Sequence, residues 1–182
     1  MHLDAIHAQL VELARARPDL CTFRSRCAPA EIAGFEAHHG VELPTEYRRF
    51  LLDVGNGGSV NGATLFPLGM TWSFETNDFG PWFEVGSLSQ QFCADAFNDD
   101  EEDDAWMEPC PGAFPVAYLG CTIWEWLVIT GPDRGEIWER EHPSFVPAPN
   151  PLLRALSFSE WVFVEAAKGA KRKDWIDHLR HT

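Results

Sequence analysis

The spacing of apolar side chains predicts that the chain opens with helices. Between Asp4 and Arg17, apolar residues recur at helical spacing and mark one face of an amphipathic helix; they are Ile6, Leu10, Leu13 and Ala14. A second helix is expected from Pro29 to Gly40 and a third from Pro44 to Gly55, because proline favours the first helical turn and glycine readily ends a helix. The start of the chain is therefore predicted to be mainly helical.

After these helices the apolar pattern becomes strand-like. Short strands are predicted at Ala63–Leu68, Thr71–Phe74, Phe114–Leu119, Ile123–Thr130 and Glu136–Arg140. The Gly131–Gly135 segment combines glycines, proline and aspartate, so it predicts a turn between the last two strands and an antiparallel hairpin. Alternation puts Trp124 and Trp126 on the same face of their strand, which is typical of core residues.

Helices return at the end of the chain. Ser157 and Glu160 match a capping box that begins one helix, and the spacing of Trp175 and Leu179 indicates a short last one. The order of helices, strands and helices predicts an α+β fold, with a mainly antiparallel sheet packed against N-terminal and C-terminal helices. A length of 182 residues fits a single domain spanning residues 1–182.

Charge is distributed unevenly along the sequence. The net charge is -14, and no lysine or arginine occurs from Phe50 through Asp133, a middle segment that holds half of the 28 acidic residues. An acidic surface repels phosphate backbones and anionic lipids, so nucleic-acid and membrane partners are not expected. The sequence shows neither a secretory signal nor an apolar run of about 18 residues, so a cytoplasmic location is expected.

Residue patterns typical of catalytic and metal sites are sparse in the sequence. The sequence has no phosphate-binding glycine loop, no nucleophile elbow and no pair of histidines at metal-binding helical spacing. Cysteines lack the close spacing of a zinc or redox site, so buried reduced thiols are expected; they are Cys21, Cys27, Cys93, Cys110 and Cys121. We therefore predict no catalytic residue, no metal and no cofactor, and a protein that is not an enzyme.

Several segments, in this order and spacing, carry a family resemblance. They are Ile32–Glu36, Val41–Leu51, Asn56-Gly57-Gly58, Gly120–Ile129, Gly131–Gly135, Glu136–Trp138 and Phe158–Trp161. Together they resemble the SUKH superfamily, which contains fungal cell-wall-assembly regulators of the SMI/KNR type and many bacterial immunity proteins. The resemblance covers roughly residues 30–165. The chain departs from it at Gly120-Cys121-Thr122, where many members have a Gly-Asp step, and in an acidic insert at roughly residues 95–108.

The resemblance implies a non-enzymatic protein-binding domain. Its leading form is an immunity protein that neutralises a cognate bacterial toxin, with a basic toxin domain such as a nuclease as the expected partner. The alternative is a regulatory or scaffold module of the SMI/KNR type that binds a housekeeping protein. An enzyme would require a pocket with a perturbed cysteine or histidine.

The acidic run and nearby aromatic residues form the candidate contact surface. Six consecutive carboxylates must be solvated, because like charges repel and burial is prohibitive. Three roles stay open for them: a solubilising loop, a calcium loop without EF-hand ligand spacing, or a docking surface for a basic protein. Aromatic rings beside carboxylates suit the last role. The candidate residues are Asp99, Asp100, Glu101, Glu102, Asp103, Asp104, Trp72, Phe79, Trp82 and Trp106.

Overall fold

The computed structural model describes residues 2–73, 78–81, 88–92, 110–121, 123–141, 144–150, 152 and 154–179. Its helices are α1 (Leu3–Ala16), α2 (Pro29–His39), α3 (Thr45–Asp53), α4 (Phe158–Gly169) and α5 (Lys173–Leu179). Its strands are β1 (Cys21–Phe23), β2 (Gly58–Val60), β3 (Ala63–Leu65), β4 (Met70–Ser73), β5 (Asp78–Pro81), β6 (Ala113–Gly120), β7 (Ile123–Val128), β8 (Ile137–Glu141) and β9 (Ser144–Pro147). This order confirms the predicted α+β class.

Strands from both halves of the chain combine in one sheet. Within the described residues, seven strands follow the order β1-β2-β3-β6-β7-β8-β9, and β4 pairs with β5 as a separate hairpin. Neighbouring strands run antiparallel, as in the β7–β8 pair, where Trp126 lies opposite Trp138. The turn at residues 131–135 joins these two strands. The predicted antiparallel hairpin is therefore confirmed.

A layer of helices covers one face of the sheet. Apolar residues of α1, α3 and α4 share one core with inward side chains of the strands, such as Leu127 and Ile137. At the centre of this core, the Phe158 ring meets those of Tyr47 and Phe50 edge-on, with centroid distances of 4.8 and 4.9 Å. Burial of each such ring stabilises the fold by roughly 1.5–3 kcal/mol. In the described part of the chain, no helix combines the length and apolar character needed to cross a membrane.

The opposite face of the sheet carries a second, aromatic core. Trp124 and Trp126 lie in this core together with Phe66, Phe92 and Val128. Both tryptophans are buried, which confirms their predicted place in the core. Because β7 alternates, Leu127 faces the helices while its two neighbours face the aromatic core. Both faces of the central strands are therefore covered.

The predicted helices agree with the structure better than the predicted strands do. The capping box before α4 is present, with the Glu160 carboxylate accepting from the Ser157 amide at 3.2 Å. The strand predicted at Ala63–Leu68 ends at Leu65, and β1, β2, β5 and β9 were not predicted. These missed strands have three or four residues, so they are too short to establish an alternating pattern.

The cysteines do not all have the predicted environment. Cys21, Cys27 and Cys110 are buried, and burial raises the pKa of the Cys21 thiol to about 12 and that of Cys27 to about 11. Cys121 is exposed, so the prediction of buried thiols is wrong at this position. The reason is local: Cys121 occupies the tight turn between β6 and β7 with a φ of 49°, which holds it at the surface.

The Asn56-Gly57-Gly58 segment turns the chain from α3 into the sheet. The Asn56 side-chain oxygen accepts a hydrogen bond from the Leu68 amide at 2.7 Å. Gly58 has a φ of 140°, and a Cβ there would collide with the carbonyl oxygen of Thr22 in β1. The signature glycine is therefore required by the close approach of two strands.

Candidate functional site

Most of the predicted contact residues cannot be placed. Asp99–Asp104, Trp82 and Trp106 lie outside the described residues. Trp72 lies in β4, where its backbone pairs with that of Phe79 in β5. The structure therefore brings these two positions together on one hairpin, and the contact surface as a whole stays a prediction.

Phe79 connects the β4–β5 hairpin to the aromatic core. Its half-buried ring meets the Phe66 ring edge-on, with 6.0 Å between centroids. The guanidinium carbon of Arg24 lies 4.5 Å from the centroid of the Phe79 ring. A cation over an aromatic ring contributes about 0.5–1 kcal/mol at such a site. These contacts hold a hairpin of the acidic middle segment against the sheet and against a basic residue of the N-terminal flank.

The aromatic core contains a buried cation that the sequence analysis missed. Arg140 is only 4% exposed, and its backbone pairs with that of Trp124. Its guanidinium carbon lies 5.6 Å from the centroid of the Trp126 ring. Alternation from Trp138 could have revealed it, since residues two apart in a strand share a face. An arginine on this face marks the aromatic core as an environment that accepts a cationic group.

On the helix-covered face, Glu125 is a buried carboxyl group. It is 1% exposed and lies opposite Glu139 of β8. Burial, reinforced by the negative charges of Glu139 and Glu165, raises the pKa of Glu125 to about 8, while a hydrogen bond with Trp161 opposes this rise. Glu125 is therefore protonated at neutral pH. No sequence pattern distinguishes Glu125 from the other acidic residues of the middle segment.

A serine, a histidine and an aspartate come together where α1, α3 and α4 meet. His7 Nδ1 lies 3.3 Å from Asp53 Oδ2, and its Nε2 lies 3.0 Å from the Ser159 hydroxyl. Since a carboxylate only accepts, Nδ1 carries the proton and Nε2 accepts from Ser159. This order matches a nucleophilic triad, but Ser159 is 0% exposed, so no substrate can reach its oxygen. The cluster instead joins three helices.

The two halves of the sequence signature meet at a surface pocket of about 700 Å³. Gly40–Leu43 line one side, and the turn that contains Gly131 and Arg134 lines the other. Arg134 Nη2 donates hydrogen bonds of 3.0 Å to the backbone carbonyls of Glu42 and Leu43. The arginine thus fixes the distance between the segment that precedes α3 and the β7–β8 turn.

These features define an α+β domain. Its antiparallel sheet has helices on one face and an aromatic core on the other, and polar clusters join its elements. Among the described residues, no group of histidine, cysteine and acidic side chains is arranged to hold a metal ion. The chain belongs to the SMI1/KNR4 family (SUKH-1), whose family model matches residues 26–163. Domains of this family act through protein–protein interaction and are generally not catalytic. Neither the curated proteins nor the solved structures contain a significant match.

Proposed function

We propose that this SUKH domain is an immunity protein that binds a cognate bacterial toxin through its acidic middle segment and blocks the toxin's activity. The family supports binding of a protein as the general role. The observation that carries the proposal is the segregation of charge, since the segment from Phe50 to Asp133 holds many acids and no base. Such a segment suits a basic partner, for example a nuclease domain whose own surface binds phosphate.

Ion pairs engage several bases of the N-terminal flank. Arg49 pairs with Asp4 and Asp53, and Arg17 pairs with Asp19. Arg17 is thus engaged by an acid of its own flank, whereas Arg49 is shared between Asp4 of the flank and Asp53 of the middle segment. The excess of acids in the middle segment can steer a cationic partner, which raises association rates from about 10⁵–10⁶ to as much as about 10⁸–10⁹ M⁻¹s⁻¹ at low salt.

A second candidate function is a regulatory module of the SMI/KNR type that binds a housekeeping protein. The matching family model favours it, because the model bears the name of that branch. The two functions differ in what the partner does and agree in requiring a protein–protein interface. A toxin encoded beside this chain would favour immunity, whereas binding that inhibits no toxin would favour regulation.

The proposal is tested with the toxin domain encoded next to this chain. We expect the purified protein to bind that domain and to abolish its activity in a stoichiometric assay. In surface plasmon resonance, replacement of Asp99–Asp104 by Asn and Ser should slow association at low salt by about tenfold or more and flatten its salt dependence. Dissociation should change less, since distant charges act mainly on encounter.

A matched pair of variants isolates the position of the charge from its amount. Glu101→Gln with Glu102→Gln removes two carboxylates from the acidic run, and Glu12→Gln with Glu42→Gln removes two exposed carboxylates from the N-terminal flank. Only the first pair should slow association. Equal slowing by both pairs would remove the acidic run from the interface, and failure to bind or inhibit any neighbouring toxin would reject immunity as the function.

A further inference from the structure

A small pocket lies between α1 and the segment formed by β1 and the residues that follow it. Its volume is about 310 Å³, and its apolar lining includes Val11, Ala14, Phe23 and Val54. Thr22 and the two guanidinium groups of Arg15 and Arg26 complete the lining, which contains no acidic side chain among the described residues. The pocket thus combines an apolar floor with two positive charges in a chain whose net charge is -14.

These two arginines lack a partner among the residues that the structure describes. Within the described part of the chain, neither Arg15 nor Arg26 makes an ion pair, a hydrogen bond or a ring contact. Nearby arginines behave otherwise: Arg17 pairs with Asp19 at 2.7 Å, and Arg24 lies over the Phe79 ring. With acids in such excess, two unpaired arginines beside one apolar pocket are poised for an anionic group from another molecule.

The same two arginines also line a larger, adjoining cavity of about 700 Å³. Its other charged lining residues include Asp4 and Asp53, which both pair with Arg49, and the exposed carboxylate of Glu12, which lies toward the cavity and not in the small pocket. Arg49 is engaged by two carboxylates, so among the basic side chains of the cavity lining Arg15 and Arg26 are the ones available to an anionic ligand. The pocket and the cavity share Val11, Arg15 and Arg26 and together form a groove along α1.

We propose that this groove binds an acidic segment of a partner protein, with an apolar side chain seated on Val11, Phe23 and Val54 and an adjacent carboxylate paired with Arg15 and Arg26. Arginine holds carboxylates in two-pronged hydrogen bonds, which fix the ligand's orientation as well as its charge. This surface is separate from the acidic middle segment, so the inference stands whether or not the domain is an immunity protein.

Charge complementarity favours a peptide over a nucleic acid as the occupant. A polyphosphate places one negative charge at every nucleotide, and a protein of net charge -14 repels such a chain as a whole. A peptide with one or two carboxylates is repelled only weakly. Its apolar side chains can also pack on the apolar floor of the pocket, which a phosphodiester backbone cannot do. The apolar lining therefore favours a peptide over a nucleic acid as the ligand.

The test uses an acetylated, C-terminally amidated, fluorescein-labelled octapeptide with two glutamates and two leucines in a glycine–serine background, and a second peptide with glutamine in place of both glutamates is its neutral counterpart. Fluorescence anisotropy of the intact protein should show binding of the acidic peptide at least about tenfold tighter than that of the neutral one. In NMR spectra of the protein, the acidic peptide should shift the side-chain Nε–H signals of Arg15 and Arg26 more than that of Arg17.

Substitution of the two arginines tests whether the peptide binds at this pocket. Arg15→Ala with Arg26→Ala should weaken binding of the acidic peptide by about tenfold or more, because both charge-assisted contacts are lost. Arg17→Ala is the matched control, since it removes an exposed arginine that is already paired with Asp19. All three positions are exposed, so circular dichroism and thermal unfolding should confirm that each variant folds.

Three results would overturn the inference: equal affinity for the two peptides, equal binding by the arginine double variant, or tighter binding of a labelled oligonucleotide that Arg15→Ala with Arg26→Ala abolishes. The last result would identify a nucleic-acid site. Toxin inhibition by the double variant is measured in parallel. Because that assay probes the acidic middle segment, loss of peptide binding with intact inhibition separates the two proposals.

Discussion

Glu125 shows how a single buried group can make the whole fold sensitive to pH. Its pKa is raised from 4.5 to about 8, with burial as the main cause. The folded chain therefore holds a proton that the unfolded chain releases between these two pH values. Stability is fully present below pH 4.5 and decreases as pH rises toward 8, by at most about 1.4 kcal/mol per pH unit.

We expect Glu125→Gln to stabilise the protein at neutral pH. Glutamine cannot ionise in the unfolded state, and its shape matches the protonated carboxyl group. The free energy of unfolding should rise by about 1–3 kcal/mol near pH 7, with little change near pH 4. Urea unfolding followed by tryptophan fluorescence across this pH range measures the difference.

The exposed carboxylate of Glu12 supplies the control for this prediction. Glu12→Gln removes the same charge without touching the buried group, so its pH profile should follow that of the wild type. If Glu125→Gln also keeps the wild-type profile, the carboxyl group of Glu125 is not protonated in the folded state.

The effect of pH on stability through His7 is opposite in sign to the effect through Glu125. Burial lowers the pKa of His7, and hydrogen bonding to Asp53 only partly opposes this. The folded chain therefore prefers the neutral imidazole, and the stability that depends on it is lost as pH falls below about 6.5. Between about pH 4.5 and pH 6.5 the two groups therefore change the free energy of unfolding in opposite directions, and above pH 6.5 only Glu125 of the two contributes to the pH dependence.

Substitution of Ser159 tests the link between helices that His7 provides. Ser159→Ala leaves the buried Nε2 of His7 without its donor, so we expect a loss of about 1–3 kcal/mol in the free energy of unfolding. Ser59→Ala is the comparison, because Ser59 shares an exposed hydrogen bond with Thr22 and water can replace it. Urea unfolding of both variants measures the costs. Equal costs would mean that the His7 cluster does not hold the helices together.

At the scale of elements, sequence patterns predict helices better than short strands. Helix α3 repeats its apolar side chains at Tyr47, Phe50 and Leu51, and all three are buried. Strand β2 consists of Gly58-Ser59-Val60, and only Val60 is fully buried. Its place in the sheet depends on pairing with β1 and β3. Such pairing is a tertiary contact, which the secondary-structure propensity of three residues does not predict. Tertiary pairing therefore defines what three residues cannot encode alone.

The candidate site was predictable to a similarly uneven degree. Alternation predicts the positions of Trp124 and Trp126, whereas no sequence pattern distinguishes Arg15 and Arg26 from the other arginines. Their importance arises only when α1 and β1 bring them to one pocket. Likewise, the triad-like geometry joins His7 to Ser159, which are separated by 152 positions. Helical and strand periodicities relate residues that are close in sequence, so they do not predict this contact.

Close approach of strands makes a specific prediction for the glycines around β2. Gly58→Ala should destabilise the fold by more than about 3 kcal/mol, because its Cβ meets the rigid backbone of Thr22. Gly62→Ala should cost only about 1 kcal/mol, since Gly62 also has positive φ but open space around it. Thermal unfolding of the two variants separates collision from backbone strain. Similar losses would show that β1 shifts freely to admit the methyl group.

At the scale of the whole molecule, charge is arranged in two regions with different responses to salt. Ion pairs such as Arg154–Glu160, at 2.6 Å, attract within the flanks and weaken when salt screens them. The acids of the middle segment repel one another, and screening relieves that repulsion. Exposed pairs contribute about 0–1 kcal/mol each, so repulsion within the middle segment should determine the net effect of salt.

We therefore expect the wild-type protein to gain about 0.5–1 kcal/mol in free energy of unfolding when NaCl rises from about 0.02 to about 0.3 M. The variant with Asn and Ser at residues 99–104 should be more stable than the wild type at low salt, and salt should stabilise it less or destabilise it. Urea unfolding at both salt concentrations measures this, with Glu12→Gln and Glu42→Gln together as the flank control. If the six substitutions leave the salt response unchanged, the carboxylates of the run do not repel one another in the folded protein, and their effect on association would then have to arise from direct contact with the partner.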